Sequence, residues 1–404
     1  MIRQKGIEGL RLLTARAAWL SSQVPLAWRN LLSDKRRLAR SAAGIGFAAL
    51  LMMVELGFRD AYIESMLLVM RRLDGDIMLT SSQKYQFDRV APFSRRQLYQ
   101  ARAVSGVASA RPLYMERTAS VWRNPQDGRH FAVLTFAFDP DEPVLSIPEV
   151  TAKLAALRQP DTILVDRHAR SVLGDVQDAT ETEISGHHVD IVGTFWLGPN
   201  FFNDGNIVMS DRNFFKLLGG SGPDHTELPD VELGVIKVQP GFAVSEVQRA
   251  LRAALPANVA VLTKRELIDQ EASLHAKLSP VGPIFTAGAL VGFAVGILIS
   301  YQILFSELSD QLAQYATLKA MGYGNRFLLA VVLQQAAFYA CVGYVSAWML
   351  CLVLFKFISE VMVGPMQLTL MLTAQTFLLT LVMCILAALL ALRRVMTADP
   401  AEVF

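Results

Sequence analysis

The sequence predicts an α-helical membrane protein with four transmembrane helices and a large extracytoplasmic α+β domain inserted between the first and second. Three observations carry that reading. Of the 404 residues, 52% are hydrophobic and only 18% charged, short of the quarter usual in soluble proteins. The apolar residues gather in four runs, 41–58, 280–305, 327–355 and 368–392. Between the first two runs lie residues 59–279, which return to the short alternating segments and turn residues of a folded domain.

Taken in order, residues 1–40 read as cytoplasmic amphipathic helices on the membrane. Ile7, Leu10, Leu13, Ala17 and Leu20 recur at three- or four-residue spacing, with Arg3, Arg11 and Arg16 off that stripe. Pro25 suits the first turn of a second helix. Nine Lys or Arg stand against two acids in this segment, whereas residues 59–76 carry three basic and four acidic residues. The excess of basic residues places the N-terminus, the 306–326 loop and the C-terminal tail, 393–404, in the cytoplasm, and residues 59–279 outside. A cleaved signal peptide is not expected, since forty residues precede the first run and no small-residue cleavage site follows it. The run 280–305 holds 26 residues without a charge, roughly 39 Å of helix against a hydrocarbon core of about 30 Å.

Beyond the first span, "YIESMLLVMRRL" keeps a helical pattern, and "KRELIDQEASLHAKLS" does so before the second, so two stalks frame the inserted domain. Strands are expected at 76–80, 131–138, 162–165, 189–195, 231–238 and 259–262, with a helix at 243–255. The last two strands and that helix form a strand–helix–strand unit that favours a right-handed crossover onto one sheet. "LGPNFFNDGN" at 197–206 has the composition of a turn or hinge and marks a boundary between two lobes. All six histidines lie in this domain and read as solvated surface residues without the spacing of a zinc site. Cys341, Cys351 and Cys384 all fall within spans, which leaves no external pair to oxidise.

The chain has no Gly-Lys pair and hence no phosphate-binding loop, so no ATPase of this type is expected of it. Glu55 is the one acidic or basic side chain within the four runs. It is expected at the outer interface, where the first helix becomes a stalk, which disfavours proton coupling; so little intramembrane polarity disfavours a channel too. No basic stripe points to nucleic acid. Gly288, Gly292 and Gly296 form a ridge of small residues on one helical face. It serves either a tight contact across a dimer axis or packing within one subunit. The segment "ELSDQLAQYATLKAMGYGNRF" reads as a cytoplasmic helix from about Glu307 to Met321, ended by Gly322. Leu308, Leu312, Tyr315 and Leu318 form its stripe, Glu307 and Asp310 its acidic start, and Lys319 its basic end. Such a helix either rests on lipid or acts as a lever against a soluble partner.

"YATLKAMGYGNRFL" resembles the coupling segment of ABC permeases of the FtsX/MacB type. "PLAWRNLLSDKRRLARSAAGIGFAALLMMVELGF" and "RRVMTADPAEVF" are similar to the DevC-like exporter permeases, and the order of one span, a large external domain and three further spans also matches. The resemblance implies a permease subunit of the bacterial inner membrane that is not itself an enzyme. It would form a homodimer and bind a separate cytoplasmic ABC ATPase, which carries the ATP and Mg. Gln311, Tyr315, Leu318, Lys319, Met321 and Gly322 would then couple to that ATPase. A periplasmic adaptor protein and an outer-membrane channel would complete an exporter of a lipid, glycolipid or other amphiphile. A lipoprotein-releasing permease and an FtsX-like regulator of a cell-wall hydrolase share the same layout. No cofactor and no metal is expected on this chain.

Overall fold

The computed structural model describes residues 35–87, 89–176, 181–218, 230–312, 317, 321, 324–362 and 366–397. The amphipathic helices expected at 1–34 and the tail beyond 397 lie outside the described residues. The chain divides into two compact units.

The first unit comprises residues 1–58, 284–356 and 367–404. Four helices long and apolar enough to cross a bilayer contribute to it: α1 (Lys35–Arg72), α8 (Val281–Asp310), α9 (Asn325–Met362) and α10 (Leu370–Thr397). Their shared interior is built largely from small side chains, Ala48, Ala336, Ala340, Ala387, Ala388 and Ala391, around Ile45, Met52, Tyr339 and Met383. The outward faces carry exposed Leu290, Val291, Leu298, Val353 and Leu378. Large apolar residues outside and small ones inside is the arrangement expected in lipid, where close backbone approach rather than water exclusion holds helices together. At one crossing Gly46 and Gly343 meet so closely that a Cβ on Gly343 would stand 2.6 Å from the Ile45 side chain.

The second unit comprises residues 59–283 and 357–366. It is built on one eleven-stranded sheet in the order β11-β1-β10-β2-β5-β9-β6-β8-β7-β3-β4. The strands are β1 (Ile77–Ser81), β2 (Val107–Glu116), β3 (Val121–Arg123), β4 (His130–Ala132), β5 (Leu134–Phe138), β6 (Thr162–Asp166), β7 (Glu181–Ile184), β8 (His187–Phe195), β9 (Asn206–Ser210), β10 (Leu233–Val238) and β11 (Val259–Thr263). Both faces of the sheet are covered. Ile77, Leu79, Ile163, Val165, Ile207, Met209 and Ile236 face a core formed with α2 (Arg95–Arg102), α5 (Asp211–Leu217) and α6 (Val244–Ala254). The alternate residues Met78, Leu164, Val208 and Val235 face a second core. That core holds Leu67 and Met70 of α1, Leu73 just beyond its end, Val150 of α3 (Pro148–Ala152), Leu157, which ends α4 (Leu154–Leu157), and Leu267 of α7 (Lys264–Lys277). The period of two explains why the central strands read as unbroken apolar runs.

The structure corrects two expectations for this domain. Residues 197–206 are not a boundary between lobes: they join β8 to β9, and β9 lies in the middle of the sheet. The seam is instead β2, whose residues 107–113 pair with β10 while Tyr114–Glu116 pair with β5. A polar decapeptide looks like a hinge by composition, whereas a strand shared by two halves of a sheet has no compositional mark. The strand expected at 131–138 is likewise two, β4 and β5, broken at Val133. Strands β10 and β11 do enter one sheet, separated by β1, which pairs antiparallel with each.

One ion pair is sealed inside this domain: Lys84 Nζ lies 2.7 Å from Glu232 Oε2, with both side chains almost wholly buried. The same carboxylate oxygen accepts from the Ala91 amide. Lys84→Met should destabilise the protein by about 3–5 kcal/mol, because it strands a buried carboxylate, whereas Lys84→Met with Glu232→Leu should recover most of that loss. Thermal unfolding of the two variants in mild detergent checks both.

Candidate functional site

In a protein whose apolar helices and folded domain occupy different media, the structures that join them are the candidate machinery. Helix α1 runs unbroken for 38 residues, from Lys35 through the apolar run at 41–58 to Arg72. The return is different. Helix α7 ends at Lys277 and α8 begins at Val281, with a tight bend between them. Gly282 sits so close to the His275 carbonyl and the Ala276 backbone that no side chain fits there, which is the close approach only glycine permits.

Two polar clasps tie α1 to α7. At the end nearer the spans, the Tyr62 hydroxyl stands 2.7 Å from His275 Nδ1 and 2.8 Å from Ser279 Oγ. His275 Nε2 lies 3.1 Å from Glu271 Oε1, and the Glu271 carboxylate accepts from the Phe87 amide. As an acceptor, Glu271 fixes the tautomer: Nε2–H donates to it, Nδ1 accepts from Tyr62, and Tyr62 accepts from Ser279. Tyr62 and His275 are 1% and 0% exposed, so the middle of the chain is closed to water, while Ser279 at its outer end is half-buried. This corrects the reading of all six histidines as surface residues. His275 is buried, and its signal was the i,i+4 pair Glu271/His275 on one helical face; His187 and His188 are exposed.

At the far end, Lys264 Nζ donates to the carbonyls of Arg71 and Leu73, at 3.0 and 2.7 Å. It thereby satisfies backbone groups left open where α1 ends. Burial pushes the Lys264 pKa down. Helix α7 starts there with a capping box in which Thr263 and Glu266 satisfy each other's amides. Asp74 accepts from Lys237 Nζ at 2.8 Å and from Arg111, whose guanidinium also donates to the Asp74 and Pro143 carbonyls. The hydrogen bond from Lys237 holds the Asp74 carboxyl below its ordinary value.

A third device fixes the loop at 197–206. Asp166, at the end of β6, is fully buried and accepts from the amides of His168, Leu197 and Gly198 and from Asn206 Nδ2. Burial raises its pKa while these donors pull it down, and burial is the larger effect. Asp166 thus grips both ends of the loop. Nothing in "TILVD" distinguished this acid from a surface residue.

Of the residues expected from sequence to carry function, Gly288, Gly292 and Gly296 lie on α8 and pack within the chain. A Cβ on Gly288 would meet the Glu55 carboxyl at 2.6 Å, on Gly292 Leu51 and Met52 at 3.3 Å, and on Gly296 Ala48 at 2.9 Å and the Met383 side chain. The ridge is therefore filled by α1 and α10 of the same subunit. Tyr315, Leu318, Lys319 and Gly322 lie outside the described residues. Gln311 donates its amide to the Glu307 and Leu308 carbonyls, and Met321 is exposed. Glu307 and Asp310 do not start a cytoplasmic helix; they end α8. Glu307 is buried and accepts from the Tyr339 hydroxyl at 2.8 Å. A hydroxyl partner on α9 lets that carboxyl turn inward, so α8 continues to Asp310 where sequence expected a separate helix to start.

Tyr62→Phe should cost about 1–3 kcal/mol, since His275 Nδ1 loses its donor in a dry site. Thermal unfolding alongside Ser279→Ala, which removes only the outer bond, reads this. The Asp74 clasp predicts a pH dependence. Because its folded pKa is depressed, its contribution is complete above the ordinary value of 3.8 and is lost as pH falls through the depressed one. The stability difference between the protein and Asp74→Asn should stay constant near neutrality and shrink below that value.

Comparison with known proteins adds the following. Residues 283–400 match the family described as FtsX-like permease C-terminal. No curated protein matches. Among solved structures, the periplasmic region of MacB from Actinobacillus actinomycetemcomitans aligns at 5% identity, covering 49% of this chain and 92% of that one, with a TM-score of 0.35. The extracellular domain of the noncanonic ABC-type transporter YknZ from Gram-positive bacteria aligns at 9% identity, covering 46% and 98%, with a TM-score of 0.32. Residues 283–400 of this multi-pass membrane protein, which hold nearly all of three of the four apolar helices, are thus similar to the FtsX-like permease C-terminal domain.

Proposed function

We propose that this chain is the permease subunit of an ATP-driven exporter of a lipid, glycolipid or other amphiphile. The energy comes from ATP hydrolysis, with Mg, on a separate cytoplasmic ABC ATPase. The carrying observation is the doubly clasped pair of α1 and α7: α1 runs unbroken from the first apolar run to Arg72, and its far end packs in the core of the sheet domain. The FtsX-like permease match supports the same reading. In it, N- and C-termini face the cytoplasm, and the 306–326 segment docks the ATPase through Gln311, Tyr315, Leu318, Lys319, Met321 and Gly322. Movement of the spans then displaces the sheet domain on the far side, where a periplasmic adaptor protein and an outer-membrane channel receive the cargo.

A second copy of the chain completes the assembly. Its contact lies on a face other than the Gly288–Gly292–Gly296 ridge, which α1 and α10 already fill.

The test is purification of the tagged chain from native membranes in mild detergent, with identification of co-purifying proteins. An ATPase with a periplasmic adaptor is expected. An ATPase with a cell-wall hydrolase would overturn export in favour of regulation, and an ATPase with a soluble lipoprotein carrier in favour of lipoprotein release. Tyr315→Ala or Lys319→Glu should cost ~2 kcal/mol of docking, about a thirtyfold rise in Kd, if these are central contacts. Unchanged affinity in both variants would remove them from the interface.

A further inference from the structure

The loop at 197–206 carries aromatic residues that the clasped stalk does not need. Phe201 and Phe202 pack edge-on against Tyr62, with ring centroids 5.3 and 6.3 Å away. Each nevertheless keeps 40% of its surface exposed. Large exposed apolar side chains gathered at one place mark a contact surface, and the fold fixes where this one lies.

Tyr62 is one helical turn, roughly 6 Å, beyond the apolar run that ends at Phe58. Its hydroxyl meets Ser279, the last residue before the uncharged run at 280–305. Two independent chain segments thus put Tyr62 at the level where the helices leave hydrocarbon. The polar zone there is itself about 5–8 Å deep on each side. The loop approaches that level from further out. Gly198 lies beside Leu68 of α1, where a Cβ would be 3.6 Å from the leucine side chain. Between Leu68 and Tyr62 the helix falls by roughly 9 Å, so the loop runs along α1 from the level of Leu68 at its base to that of Tyr62 at its tip, Phe201–Phe202.

The tip is held in shape. Asn200 Oδ1 accepts from the Phe202 and Asn203 amides at 2.8 and 2.9 Å, and Asp166 grips the base. Two cations flank it. The Arg117 guanidinium sits over the Phe202 ring at 5.3 Å, and Arg170 pairs with Asp204 at 3.0 Å while reaching the Phe201 carbonyl. Aromatic rings with arginines at the rim of the hydrocarbon suit one environment, the headgroup–acyl boundary of a bilayer.

We propose that Phe201 and Phe202 insert into the leaflet on the side of the sheet domain, with Arg117 and Arg170 contacting the phosphates of anionic lipid headgroups. The occupant is bilayer lipid at the foot of the stalk. This rests only on the four helices spanning the membrane, so it stands or falls separately from the export reading.

The test uses the full chain, with Cys341, Cys351 and Cys384 replaced by alanine, in nanodiscs of phosphatidylcholine with phosphatidylglycerol. A nitroxide is attached at Phe202→Cys, and at Phe201→Cys as a second reporter should the first variant not fold. Its accessibility to oxygen and to a water-soluble nickel relaxant is compared with His188→Cys, exposed on β8, and Val291→Cys, on the outer face of α8. The expected ratio at 202 or 201 lies clearly on the lipid side of His188. Relaxation by nickel equal to that at His188 in both variants overturns the proposal and leaves the loop to a protein partner. In parallel, Arg117→Gln and Arg170→Gln should each lower retained phosphatidylglycerol, read by native mass spectrometry, roughly fivefold. Unchanged retention in both overturns the headgroup contact.

Discussion

The hydroxyl of Tyr62 is the point on which the rest of the domain hangs. A buried polar chain stabilises only when every member is satisfied, because an unpaired group in a dry site costs more than a hydrogen bond returns. Tyr62, Ser279, His275 and Glu271 meet that condition in a single line, ending on the backbone amide of Phe87. Its geometry therefore fixes the spacing and rotation of α7 against α1 at one end, and Lys264 fixes them at the other. With both helices set, their apolar faces at Leu67, Met70 and Leu267 meet the sheet in one way. Phe201 and Phe202 complete the cover over Tyr62, so the loop's position is a consequence of the same interaction.

Much of this architecture was legible in the sequence, for reasons that differ by region. The apolar runs announce themselves because a helix in hydrocarbon must be apolar along its length. The strands at 162–166, 187–195 and 259–263 were readable because β-branched and aromatic residues cluster in them. Strand β2 was missed: "VASARPLYME" carries arginine, serine and proline within it. Arg111 is buried there only because Asp74 and two carbonyls receive its guanidinium. That compensation comes from segments far away in sequence, where local pattern cannot see it.

The functional elements were less legible for the same reason. Polar residues in a span or stalk read as surface positions unless their partners are known. His275 needs Tyr62, 213 residues away; Glu307 needs Tyr339; Asp166 needs the backbone of a loop about thirty residues further on. The glycine ridge was visible as a ridge, but small residues record only that something approaches closely. That Ala48, Leu51, Met52, Glu55 and Met383 do so is information held by the packing alone.

The two helices of the stalk are mechanically unequal. An α-helix carries twist and bending along its ladder of backbone bonds, and α1 has that ladder from the hydrocarbon to the sheet. Between Lys277 and Val281 the other limb lacks it and bends against Gly282. The two limbs thus differ in continuity: α1 keeps one backbone ladder to Arg72, while the other limb is interrupted at a bend that only a glycine can occupy.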